Sequence, residues 1–198
     1  MIAKESTVMT QTDISRAERV QVKLFASKAA ADPHDLVPVF HRWIREAKVP
    51  DELLIDVTDY THVWRGPGIL LVGHGVDLYY DLGEDRPGLL FARKRAFEGD
   101  LETRLTDALK RALRACADLE EDGLEFSATE VLVRVPDRLH APNDDDAFTA
   151  FVPVLEAAAR AVYGAEAVLV IEREEAGTRQ PLTARLRVED APAVRTLA

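Results

Sequence analysis

The chain has 198 residues and a formal net charge of −10, with 47% hydrophobic and 30% charged residues, an ordinary composition for one globular domain. That charge opposes phosphate backbones and anionic bilayers, and no apolar run approaches the roughly 20 residues needed to cross a membrane, so neither nucleic acid nor a membrane is an expected partner. The single cysteine, Cys116, excludes an intrachain disulfide and suits a cytoplasmic, reducing setting.

Residues 1–19 are polar, lack the apolar centre of a signal peptide and are expected to be disordered. Val20 to Ala26 alternates apolar and polar and reads as a strand. Asp32-Pro33-His34-Asp35 is a turn, with Asp35 as helix N-cap. Leu36, Val39, Phe40, Trp43, Ile44 and Ala47 then recur at helical spacing, and Pro38 is tolerated in the first turn. Leu53 to Val57 reads as a short apolar strand. Ile69 to Leu82 reads as a long strand bent near Gly73 and Gly75. Glu84-Asp85-Arg86-Pro87-Gly88 is a turn, and Leu89 to Phe97 returns as the second arm of an antiparallel hairpin.

The longest helix is predicted from Asp100, its N-cap, to a stop at Gly123. Leu101, Leu105, Ala108, Leu109, Ala112, Leu113, Cys116 and Leu119 form its apolar stripe. Glu125 to Val135 follows as a strand ended by Pro136. A polar loop holding Asp144, Asp145 and Asp146 leads to a helix that runs to about Tyr163. Val168 to Glu172 and Ala184 to Val188 are the last strands.

These elements predict a single α+β domain over 20–190 with a flexible tail over 191–198. About three helices pack on one face of a mixed, largely antiparallel sheet, because they are too few to cover both faces. The order matches a ferredoxin-like arrangement with an enlarged central hairpin. Val37-Pro38-Val39 and Val152-Pro153-Val154 each stand 16 residues before the start of an apolar run, Leu53 and Val168 respectively. That spacing points to a pseudo-duplicated strand-helix-strand-strand unit.

Chemistry is sparse. No phosphate loop, nucleophile elbow or paired-cysteine pattern occurs, and no cofactor is expected. Asp59, His62, His74 and Asp77 are the one set that a hairpin could gather around a transition metal. Their spacing matches no recognised motif and has simpler structural uses, so no metal is expected. Asp32, His34 and Asp35 are acid–base candidates that more simply cap a helix. A basic face joining Arg93-Lys94-Arg95 to Lys110, Arg111 and Arg114 is the one candidate for nucleic acid, but Asp107 stands three and four residues before Lys110 and Arg111, the spacing of helix ion pairs.

The hairpin suggests recognition instead. Tyr79, Asp77 and Asp81 alternate onto one face, Arg93 and Arg95 stand on the return arm, and Trp64 precedes the first arm. Tyrosine, tryptophan and arginine are enriched at interfaces. The expectation is a protein-interaction or scaffold module that self-associates as a homo-oligomer through the hairpin's outer edge, or binds another protein. The alternative is a small-molecule or metal-dependent enzyme using residues 56–77.

Overall fold

The computed structural model describes residues 13–95, 98–174, 177 and 179–198. Most of the N-terminal segment expected to be disordered, and the Phe97 end of the hairpin arm, lie outside them. One eight-stranded sheet forms the body: β1 (Gln21–Lys28), β2 (Leu54–Tyr60), β3 (Gly68–Gly73), β4 (Val76–Asp81), β5 (Gly88–Arg93), β6 (Glu125–Val135), β7 (Leu169–Arg173) and β8 (Leu182–Val188). The helices are α1 (Leu36–Glu46), α2 (Leu101–Glu120), α3 (Asp145–Tyr163) and α4 (Val194–Leu197). Among the described residues no helix is long and apolar enough to cross a membrane.

The spatial order is β2-β3-β4-β5-β1-β6-β8-β7, and every pair is antiparallel. The α+β class with helices on one face and a largely antiparallel sheet therefore stands, and the sheet is antiparallel throughout rather than mixed. The first crossover, α1, carries the chain from the central β1 to the far margin, the meander β2 to β5 walks back through turns that join antiparallel neighbours, and α2 then sets β6 beside β1. The second half repeats the plan: α3 carries the chain from β6 to the margin at β7, and β8 returns to pair with β6. Both Val-Pro-Val sequences lie in these crossover helices, each ahead of a marginal strand.

The expected long strand from Ile69 to Leu82 is two strands folded back at His74-Gly75. Gly73 makes the turn rather than a bulge, since a Cβ there would lie 2.5 Å from the Val76 carbonyl oxygen. As a result β5, the return arm, is not an outer edge. It lies between β4 and β1 and is hydrogen-bonded on both sides. The open edges of the sheet are β2 and β7.

The core lies between the sheet and the helices. Val22 and Leu24 of β1, Leu89 and Phe91 of β5, and Val131 and Val133 of β6 meet the α2 stripe, in which Leu105, Leu109, Leu113 and Cys116 are fully buried. α1 packs on β2 and β3, and α3 lies along α2 and reaches β7. Asp100 caps α2 as expected, accepting from the Thr103 amide at 2.8 Å. Asp35 does not cap α1. A 3-10 turn at Pro33–Asp35 runs directly into the helix, so the cap moves back to Asp32, which accepts from the His34 amide. Two terminal stretches also pack. Ile14 and Ala17 are buried, with Arg104 donating to the Ala17 carbonyl at 2.8 Å. In the expected tail, α4 places Val194 against α2, and Arg195 pairs with Glu120 at 2.9 Å.

Candidate functional site

The helix-free face of the sheet has two regions. Its centre is a closed set of ion pairs built around Lys23, which is fully buried. The Lys23 ammonium donates to Asp81 Oδ2 at 2.5 Å, Glu84 Oε2 at 2.8 Å and the Gly83 carbonyl at 2.9 Å, so all three of its protons are placed. The turn at Gly83–Asp85 folds over it. To do so, Glu84 and Asp85 adopt φ of 58° and 54°, left-handed values that cost about 1–2 kcal/mol per residue and that the Lys23 contacts offset. Glu84 also pairs with Arg134. Burial pushes its carboxyl up, but Lys23 and Arg134 outweigh that and hold it below the ordinary value. Alongside, Glu130 joins Arg86 and Arg185, and Arg185 also meets Glu174. Phe25 lies under them, with the Arg86 guanidinium 3.8 Å from its ring centroid, a cation–π contact. Each cation of this centre is paired with a carboxylate, and Lys23 at its middle has no access to solvent, so the centre reads as structural.

The residues singled out from the hairpin separate accordingly. Asp81 belongs to the Lys23 set. Asp77 is buried, accepts from the Gly73 amide at 3.2 Å and pairs with Lys94 at 2.8 Å, which fixes the β3–β4 turn. Arg93 is on the opposite face from Tyr79. It points toward the helices, is 8% exposed and pairs with Asp107 of α2, because strand alternation gives odd positions of β5 to the core. Arg95 is exposed and donates to the His74 carbonyl at 3.1 Å. Tyr79 is half-buried on the open face, and burial, then the neighbouring Asp77 charge, push its hydroxyl up to about 12.

The acids and histidines considered for a metal do not assemble. Asp59 joins His34, His62 lies exposed in the turn after β2, and His74 caps the β3–β4 turn. Among the described residues no group of three or more His, Cys, Asp or Glu side chains is arranged to hold a metal ion. Cys116 is buried and its thiol is pushed up by burial, the state of an inert core thiol.

The margin at β2 is the contrasting region. Among the described residues eight large hydrophobic side chains are exposed, and five of them, Leu53, Ile55, Tyr60, Val63 and Trp64, fall within residues 53–64. Trp64 is 85% exposed. It is held out by consecutive turns, with the Val63 amide donating to the Tyr60 carbonyl and the Gly66 amide to the Val63 carbonyl. Arg65 pairs with Asp85 and fastens the loop to the β4–β5 turn. The sequence reading took Leu53–Val57 for an apolar strand, but only Leu54 of that run is buried.

The same margin is acidic. Asp51, Glu52, Asp56 and Asp59 lie along it, and no Lys or Arg occurs from 49 to 64. The Val57 amide points away from β3 and donates to its neighbour Asp56 Oδ1 at 2.8 Å. Ladder alternation makes Val57 and Asp59 the residues whose backbone groups face the open edge. Asp59 is part of a clasp to the β1–α1 connection. His34 Nδ1 lies 2.7 Å from Asp32 Oδ1, and His34 Nε2 lies 3.0 Å from Asp59 Oδ2. The Thr61 amide and hydroxyl donate to Asp59 Oδ1 at 2.8 and 2.7 Å. These bonds hold Asp59 below the ordinary carboxylate range, and the bond to Asp32 raises His34. The clasp was not foreseen, since Asp59 and His34 are 25 residues apart, although the acid-rich run after the strand was visible.

No family model, curated protein or solved structure matches the chain.

Proposed function

We propose that this chain is a cytoplasmic protein-interaction module that binds by strand addition at the β2 margin. In this mode an extended segment pairs with an open sheet edge, main-chain hydrogen bonds supply affinity, and side chains beside the edge supply selection. The observation that carries the reading is the clustering of five exposed hydrophobic side chains along and just beyond one open edge. Such edges are normally shortened, covered or guarded, and a contiguous exposed apolar patch marks an interaction site. Trp64, on a loop fixed by its own turns, is a suitable anchor because its order is established before binding. The other open edge, β7, is shorter and presents only Val168 and Val170 among the exposed hydrophobics.

The reading moves the interface from the hairpin to β2. The hairpin's return arm has no open edge, and Arg93, Asp77 and Asp81 are engaged internally. Tyr79 and Trp64 remain on or beside the accessible surface.

Selection of a random peptide library against the full chain tests the proposal. Selected peptides should protect the Val57 and Asp59 amides from hydrogen exchange and should be lost on Ile55→Lys with Trp64→Ala. Peptides that protect amides elsewhere, and survive those substitutions, would overturn it.

A further inference from the structure

We infer that the occupant of the β2 edge is a cationic extended segment of another protein, and not a second copy of this chain. The inference rests on the strand-addition reading and adds the chemistry of the partner.

The edge carries the exposed Asp51, Asp56 and Asp59 without a single Lys or Arg between positions 49 and 64, while Glu52 is engaged at the β3–β4 turn, accepting from the Gly75 amide at 2.6 Å. Asp56 and Asp59 are both exposed and fall on opposite faces of β2, as their neighbours in β3, Val72 and Ile69, do. A strand laid against β2 therefore meets a carboxylate on each of its own faces. Asp56 has no cationic partner among the described residues, and Asp59 has only the His34 ring. Asp32 adds a further carboxylate on the Asp59 side.

A second copy is the wrong occupant on the same grounds. In a two-fold pairing of β2 with itself the strand brings no Lys or Arg to Asp56 or Asp59, and registers centred on either residue set like charges directly opposite one another, which is destabilising. Each chain also brings a net charge of −10 to the encounter, which slows approach of its own kind and speeds approach of a basic one. The β2 strand has seven residues, so the matching segment is about seven residues long. It carries two Lys or Arg residues three positions apart, which puts one cation on each face, and apolar residues toward the ends that reach Ile55 and Trp64.

Fluorescence anisotropy with labelled seven-residue probes tests this on the full chain. One probe, Lys–Val, is a valine peptide with two Lys residues three positions apart; a second, Glu–Val, has Glu at the same positions; and a third is the Lys–Val peptide N-methylated at consecutive amides, which blocks pairing along both of its edges. We expect the Lys–Val probe to bind at least tenfold tighter than the Glu–Val probe and to lose its binding on N-methylation. Asp56→Asn with Asp59→Asn retains both hydrogen-bond acceptors, removes both charges, and should weaken the Lys–Val probe at least fivefold. Equal binding of Lys–Val and Glu–Val probes, both lost on N-methylation, would overturn the charge inference and leave strand addition standing. Undiminished binding of the N-methylated probe would overturn strand addition itself. Dimerisation of the chain with protection of the Val57 and Asp59 amides would keep the edge and replace the cationic partner with a second copy.

Discussion

At the centre of the open sheet face Lys23, Arg86, Arg134 and Arg185 meet Asp81, Glu84, Glu130 and Glu174 directly. At the β2 margin of the same sheet Asp56 meets no cation among the described residues, and four exposed hydrophobic side chains besides Trp64 lie along and just beyond the same strand. Both regions are rich in charge, yet only one can gain by contact with another molecule. A closed set of ion pairs would lose partners on binding, and desolvating it returns little. At the margin a pairing strand displaces only the local bond between Asp56 and the Val57 amide beside it. Charge density alone therefore does not mark a binding surface in this molecule; charge left uncompensated beside apolar side chains does.

The comparison breaks most sharply at Lys23. Lys23→Met should cost about 3–5 kcal/mol, because Asp81 would stay in the sheet without its cation. Adding Asp81→Leu should recover part of the loss, as measured by denaturant titration of the single and double variants. A loss under about 1 kcal/mol would mean that the centre is not the closed structural unit described. Leu109→Ala and Leu113→Ala on α2 provide the scale, at about 2–5 kcal/mol each for a buried leucine.

Arg93 and Arg95 sharpen the contrast within one arm. Arg93→Glu would face Asp107 inside the sheet–helix interface and should cost about 3–5 kcal/mol. Arg95→Glu, on an exposed side chain, should stay within about 0.5 kcal/mol. Thermal melts of the two variants side by side decide it, and equal effects would mean that the face assignment of β5 is wrong.

How much of this was legible follows from what each pattern encodes. The α2 stripe and its Asp100 cap are local, and the structure places both where the sequence does. Alternation in β4 correctly separates Val76, Leu78 and Tyr80 from Asp77, Tyr79 and Asp81. Alternation cannot say which strands are neighbours. Arg93 looked like part of a Tyr79 face, and the hairpin looked as if it had a free side, because the pairing of β5 with β1 joins residues about seventy positions apart. Alternation over Val20 to Ala26 likewise says nothing of the burial of Lys23, because its cover, the Gly83–Asp85 turn, comes from distant sequence. The exposed edge was hidden by its composition, since Leu53, Ile55 and Val57 look like core.

Substitutions at the margin should be nearly silent in stability and loud in binding. Leu53→Ser, Ile55→Thr and Trp64→Ala remove side chains that are mostly in solvent, so each should fall within about 0.5 kcal/mol of the parent in denaturant titration. The same variants should weaken the Lys–Val probe, Trp64→Ala most. A margin substitution that unfolds the chain would instead assign these residues to the core.

The smallest effect is also the one that reports the margin's charge directly. His34 is held between Asp32 and Asp59, and its bond to Asp32, followed by the charges of both acids, raises its value above the ordinary 6.5. A base whose folded value is raised stabilises the fold while protonated. The contribution is complete below 6.5 and disappears as pH climbs through the raised value. The clasp is solvent-exposed, so the change in melting temperature between the parent and His34→Asn should be small. The ring's own titration, followed by NMR, should show the raised value clearly and should fall back toward 6.5 in Asp32→Asn. The clasp also sets how negative the β2 edge is. Protonated His34 offsets one carboxylate at the Asp59 end, and neutral His34 does not. Binding of the Lys–Val probe should therefore strengthen as pH rises through the His34 transition, and His34→Asn should abolish that dependence while keeping the affinity of the high-pH form. Binding that is flat across the transition would place the cationic segment away from Asp59, at the Asp51–Asp56 end of the strand.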